Sequence, residues 1–153
     1  MMSKVVRSIT RLITPAVLVF GLYVIMHGHV TSGGGFQGGA VFASAAALLL
    51  VAFGSDRIKH HMKIPDLTAI SVSGAVLFIG LGFAGIATTF FYNLFVGSPL
   101  FGHVPAFGPA HEDIWTGGVI PLMNIGVALN VVAGLTAVMV VMAITSEKTR
   151  DGE

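Results

Sequence analysis

His27-Gly28-His29-Val30-Thr31-Ser32-Gly33-Gly34-Gly35-Phe36-Gln37-Gly38-Gly39 is a thirteen-residue stretch holding six glycines and no Asp, Glu, Lys or Arg, set between two apolar runs. Glycine this dense lets backbone approach backbone and admits positive φ, so the stretch predicts a tight hairpin between two closely packed helices. Counting outward from it, four segments reach the roughly 20 apolar residues that a membrane-spanning helix needs. They are 12–28, 36–53, 67–95 and 118–144. Pro15 falls in the first turn of the first segment, where its missing N–H costs little. The third is longer than a perpendicular span requires, so it must tilt, kink at its glycines or surface before Asn93.

Composition agrees with this count. Apolar residues make up 54% and charged residues 10%, against roughly 25% charged in a soluble domain, and mean hydropathy is +0.88. The fold class is therefore all-α integral membrane, one domain over 1–153, with the lipid bilayer and not nucleic acid as its surroundings. Cysteine is absent, which removes disulfides, thiolate metal sites, iron–sulfur clusters and thiol catalysis. Lys4, Arg7 and Arg11 ahead of an apolar run imitate a signal peptide, but no A-x-A-like site follows, and a retained first helix is expected.

All eight Lys and Arg residues fall before the first span, between the second and third (Arg57, Lys59, Lys63), or after the fourth (Lys148, Arg150). By the positive-inside rule both termini and the middle loop are expected in the cytoplasm, with the glycine turn and the 97–117 loop outside. That outer loop carries Pro99, Pro105 and Pro109 and is expected to be irregular, with Trp115 at the membrane interface.

Small residues four apart let membrane helices meet. Such rows are Gly35, Gly39, Ala43 and Ala47 in the second span, Gly80, Ala84 and Thr88 in the third, and Gly126 and Gly134 flanking Asn130 in the fourth. Helix packing is the plain reading of each.

Residues 12–26, 36–53, 67–95 and 118–144 include no Asp, Glu, Lys, Arg or His. Proton relays through membranes are built from such groups, so the chain is poorly equipped to pump protons by itself. Asn124 and Asn130 are six apart and do not share a helical face. Each either hydrogen-bonds a neighbouring helix or lines a hydrated cavity formed with another subunit; Gln37 carries the same two readings. His27 and His29, and His103 and His111 with Glu112 and Asp113, invite a zinc site. Yet a spacing of two suits neither one helical face nor a short zinc motif, and haem would want histidine inside the spans. His60 and His61 read as solvated. No metal and no cofactor is expected.

Gly28 to Gly39 resembles the signature of the B subunit of Mrp-type (Mnh-type) multisubunit sodium/proton antiporters, commonly Gly-His-x-x-Pro-Gly-Gly-Gly-Phe-x-Gly-Gly. Chain length, four spans and Asn124-Ile125-Gly126-Val127 ahead of Gly134 agree with it. Ser32 stands where the pattern has proline, and Asn124 where antiporter members tend to have aspartate. The same family occurs in complexes that join an Mrp-like membrane arm to a hydrogenase or a sulfur-reducing module, and Ile120-Pro121-Leu122-Met123-Asn124 is closer to that branch.

The resemblance implies a small subunit in a prokaryotic cell membrane, partnered by other Mrp-type subunits and contributing to assembly and a sodium path, and the absence of intramembrane charge makes it a non-catalytic one. Gly33, Gly34, Gly35, Gly38 and Gly39 are the expected packing contacts. His29, Gln37, Asn124 and Asn130 are the polar groups to test against the ion path. The alternative is a self-contained homo-oligomeric channel or transporter.

Overall fold

The computed structural model describes residues 2–54, 62–106 and 114–151. Arg57, Lys59, His60, His61, His111, Glu112 and Asp113 lie outside the described residues. Among the described residues four α-helices follow one another: α1 (Lys4–Met26), α2 (Gly35–Phe53), α3 (Ile64–Ala84) and α4 (Ile120–Asp151), with one 3₁₀ turn at Ile114–Thr116 before α4. All four are long and apolar enough to cross a membrane, α4 over Ile120–Ser146.

Two helices differ most from the spans expected, and α4 runs on past residue 144 to Asp151. α1 starts at Lys4, capped by the Ser3 hydroxyl, which accepts from the Val6 N–H at 3.3 Å. Pro15 is consequently inside the helix and not in its first turn, a placement that membrane helices tolerate because neighbouring groups re-satisfy the freed carbonyl. α3 ends at Ala84, well short of Phe95. Its 21 residues already rise about 31 Å, enough for the hydrocarbon core. Beyond Gly85 the chain doubles back: Phe91 takes positive φ, and its N–H donates to the Gly82 carbonyl at 3.0 Å. The rings of Phe90 and Phe91 then lie against Gly82, where any side chain would collide with them.

The helices make a row in the order α1, α2, α4, α3, and not a closed four-helix bundle. The cause is the way α4 is used. Asn124, Val127, Ala128 and Val131 meet Gly35 and Gly39 of α2 on one side, while Gly126, Leu129 and Asn130 meet Gly74 of α3 on the other. At 100° per residue these two sets point nearly opposite ways. α2 is two-sided too, with Gly38 turned to Gly21 and Ile25 of α1. α1 only grazes α4, and the extensive contacts of α3 are with α4.

Candidate functional site

The glycine turn is built by local hydrogen bonds. The His27 carbonyl accepts from the Val30 N–H at 3.0 Å and the Thr31 N–H at 3.1 Å, and the Thr31 hydroxyl adds a third at 3.0 Å. The His27 ring stacks on Tyr23 at 4.3 Å between centroids. None of the turn's glycines uses positive φ; among the described residues Gly54, Gly97 and Gly118 do. The turn's glycines serve close approach instead: Gly28, Gly34 and Gly35 approach Asn124, Gly39 approaches Val131, and Gly33 and Gly38 approach α1.

The geometry there leaves no room for side chains. A Cβ at Gly35 would run into the Asn124 carbonyl and stand 2.9 Å from Val127 Cβ. One at Gly28 would collide with Gly34 and stand 2.7 Å from Asn124 Nδ2. Gly38 would meet the Ile25 side chain at 2.6 Å, and Gly39 would meet Val131 at 3.0 Å. Gly33 faces the Val24 side chain at 3.1 Å, a looser fit.

Polar side chains finish the start of α2, whose first N–H groups have no partner within the helix. Gln37 folds back so that its Oε1 accepts from the Gly34 N–H at 3.0 Å. The Gly35 N–H donates to Asn124 Oδ1 at 3.5 Å. Asn124 Nδ2 is withheld from solvent with no acceptor, pointing at Gly28. His29 lies beside Gly117, whose Cβ would stand 2.8 Å from the imidazole Cδ2 and 2.7 Å from Pro121. The structure thus gathers His29, Gln37 and Asn124 around one turn.

Asn130 is elsewhere, six residues or about 9 Å along α4 and on the face toward α3. Its Nδ2 donates to the Ser71 carbonyl at 3.0 Å and to Ser71 Oγ at 3.2 Å. Beside it an open groove of about 230 Å³ runs between α3 and α4, lined by Gly74, Phe78, Gly126 and Val127 among others. Replacing Asn130 by leucine is expected to weaken the bundle by about 0.6–2 kcal/mol, the range for interhelical hydrogen bonds in membranes. Titration of mixed micelles with dodecyl sulfate, followed by circular dichroism, reads the change; an unshifted midpoint would show that the Ser71 contact contributes nothing.

Several of these contacts escape sequence reasoning. Gly80, Ala84 and Thr88 were the expected row on the third span, but all three are exposed, and Thr88 lies past the helix end. The packing glycine is Gly74, which sits against Gly126. Gly134, the other member of the fourth-span pair, has nothing within 4 Å. Asn93 was not singled out. Its Oδ1 accepts from the Val119 N–H at 2.9 Å and so caps α4 from a distant loop, while Gly118, at φ +60, gives it space. The one available signal was a lone amide within the aromatic run Phe90 to Phe95.

Among the described residues no three His, Asp or Glu side chains come together as metal ligands would. His103 is described, but the partners proposed for it from the sequence are not.

The family model described as "Domain related to MnhB subunit of Na+/H+ antiporter" matches residues 5–137, a range that reaches into all four helices and takes in every residue of the turn. The chain belongs to the MnhB family. Among MnhB-type relatives, the "Putative antiporter subunit mnhB2" of Staphylococcus haemolyticus is 30% identical over 140 residues, 91% of this chain and 93% of that protein. Its namesake in Staphylococcus aureus is 29% identical over 141 residues, covering 88% of this chain and 90% of the relative. An uncharacterized protein of Methanocaldococcus jannaschii is 39% identical over 121 residues; these are 78% of this chain but 44% of that protein, so the match spans less than half of it. Family and helices together make the chain a multi-pass protein of the plasma membrane.

Proposed function

We propose that the chain is a non-catalytic subunit of an Mrp-type sodium/proton antiporter module, assembled with other Mrp-type membrane subunits. The observation that carries this reading is the family match across residues 5–137, with relatives of nearly the same extent named as antiporter subunits. The stretches 12–26, 36–53, 67–95 and 118–144, free of Asp, Glu, Lys, Arg and His, favour a supporting part over proton transfer by this chain. The module is either an antiporter alone or the membrane arm of a hydrogenase-linked or sulfur-reducing complex. In both, Gly33, Gly34, Gly35, Gly38 and Gly39 hold the shape that partner subunits recognise, and His29, Gln37, Asn124 and Asn130 are the groups through which the chain would border a sodium path.

Affinity purification in mild detergent tests this. Other Mrp-type subunits are expected to co-purify with the chain, and Gly39→Leu, which drives a side chain into Val131 and the Ala128 carbonyl, is expected to reduce their yield severalfold. A chain that purifies alone and conducts ions when reconstituted would replace the proposal with a self-contained channel. The orientation proposed for the module places both termini in the cytoplasm and the glycine turn outside. Ser32→Cys, in a chain with no other cysteine, should therefore react with a membrane-impermeant maleimide in intact cells. Labelling only after lysis reverses the orientation.

A further inference from the structure

The early start of α1 puts cations on the helix itself. Lys4, Arg7 and Arg11 are spaced three and four apart and share one face. Thr10 and Thr14 continue that face inward, 6% and 7% exposed, along the seam with α2. No acidic residue occurs in α1. The Arg11 guanidinium lies over the Phe53 ring at the last residue of α2, 5.4 Å from its centroid. Arg7 is half-buried, with its Nε withheld from solvent and without an acceptor; Thr14 Oγ1 on the same strip is also unpartnered. No acidic residue of α1 pairs with these guanidinium groups, and phosphate oxygens are the acceptors that their planar forks fit. The N-terminus of α1 adds its positive end to the same place.

The neighbouring face of α1 is apolar and open, with Leu12 79% and Val5 66% exposed. Acyl chains would lie there beside the cations. A free anion would gain nothing from it.

We propose that the first turns of α1 and the end of α2 form a site for the headgroup phosphate of an anionic phospholipid, held by Lys4, Arg7 and Arg11. Basic clusters between membrane helices recognise such headgroups in general. The inference rests on the chain being a membrane protein and is independent of the antiporter reading.

Native mass spectrometry of the full-length chain in mild detergent tests it, with dioleoylphosphatidylglycerol, dioleoylphosphatidylcholine and inorganic phosphate added separately. The glycerol lipid is expected to bind about tenfold more tightly than the choline lipid, since each basic side chain at a membrane surface contributes appreciably. Arg7→Gln with Arg11→Gln should reduce that preference to about twofold or less, whereas Lys63→Gln, at the start of α3, should leave it intact. Lys4→Gln alters an exposed side chain and should lower the preference about threefold, so it decides the matter if the double variant misfolds. Equal binding of the two lipids, an undiminished preference in both variants, or inorganic phosphate binding as tightly as the glycerol lipid would each overturn the proposal.

Discussion

Gly35→Ala is expected to be among the most damaging single-methyl additions in the chain. The new Cβ would overlap the Asn124 carbonyl and press on Val127, and both are fixed parts of α4 that no rotamer change can move aside. α2 must then lift from α4, which also breaks the bond from the Gly35 N–H to Asn124. Overpacking of this kind costs about 1–3 kcal/mol. Gly80→Ala and Gly134→Ala are the controls, because nothing lies within 4 Å of either position; each should be neutral or gain slightly from alanine's better helix propensity, at most about 1 kcal/mol. Dodecyl sulfate titrations of the three variants give the comparison. A Gly35→Ala midpoint no lower than those of the controls would mean that the close approach is relieved at no cost.

The second large effect is expected at Gly74. A side chain there would meet the Gly126 carbonyl at 2.5 Å, the Asn130 nitrogen at 2.8 Å and Leu129 Cβ at 3.0 Å. Valine adds two further methyl groups to that collision. Because the extensive contacts of α3 are with α4, nothing else in the described chain would hold α3 in register once this contact opens, and the Asn130 bonds to Ser71 would go with it. Cysteines at Ala75 and Val127, both on the groove between the helices, report the separation in an otherwise cysteine-free chain. A short bifunctional maleimide should link them efficiently in the parent and several times less well with Gly74→Val. Undiminished linking would show that α3 docks without Gly74.

What was legible in the sequence were features that act through composition and spacing. Four helices of membrane length follow from apolar runs, and the glycine turn follows from a density of glycine that few other structures need. The rows of small residues were half right for a physical reason. Gly35 and Gly39 lie on a helix packed from two sides, so either face chosen would meet a neighbour. α3 is packed from one side only, and periodicity alone cannot say which; Gly80 and Gly74 are equally good candidates until the position of α4 is known. Positive φ was the wrong use for the turn's glycines, because the need for close contact and the need for a left-handed backbone select the same residue. Asn93 and Ser71 were invisible because their work depends on partners 26 and 59 residues away.

The row of helices also bears on how the protein is made. The chain leaves the ribosome in the order α1, α2, α3, α4, yet its neighbours in space run α1, α2, α4, α3. The α1–α2 hairpin can close as soon as it is inserted, through Gly21, Ile25 and Gly38. α3 makes no extensive contact with either earlier helix, so its partner in the finished fold is the helix made last. Only when α4 arrives do the Asn124 and Asn130 contacts on its two sides form, and a loose helix and a finished hairpin become one body in a single step.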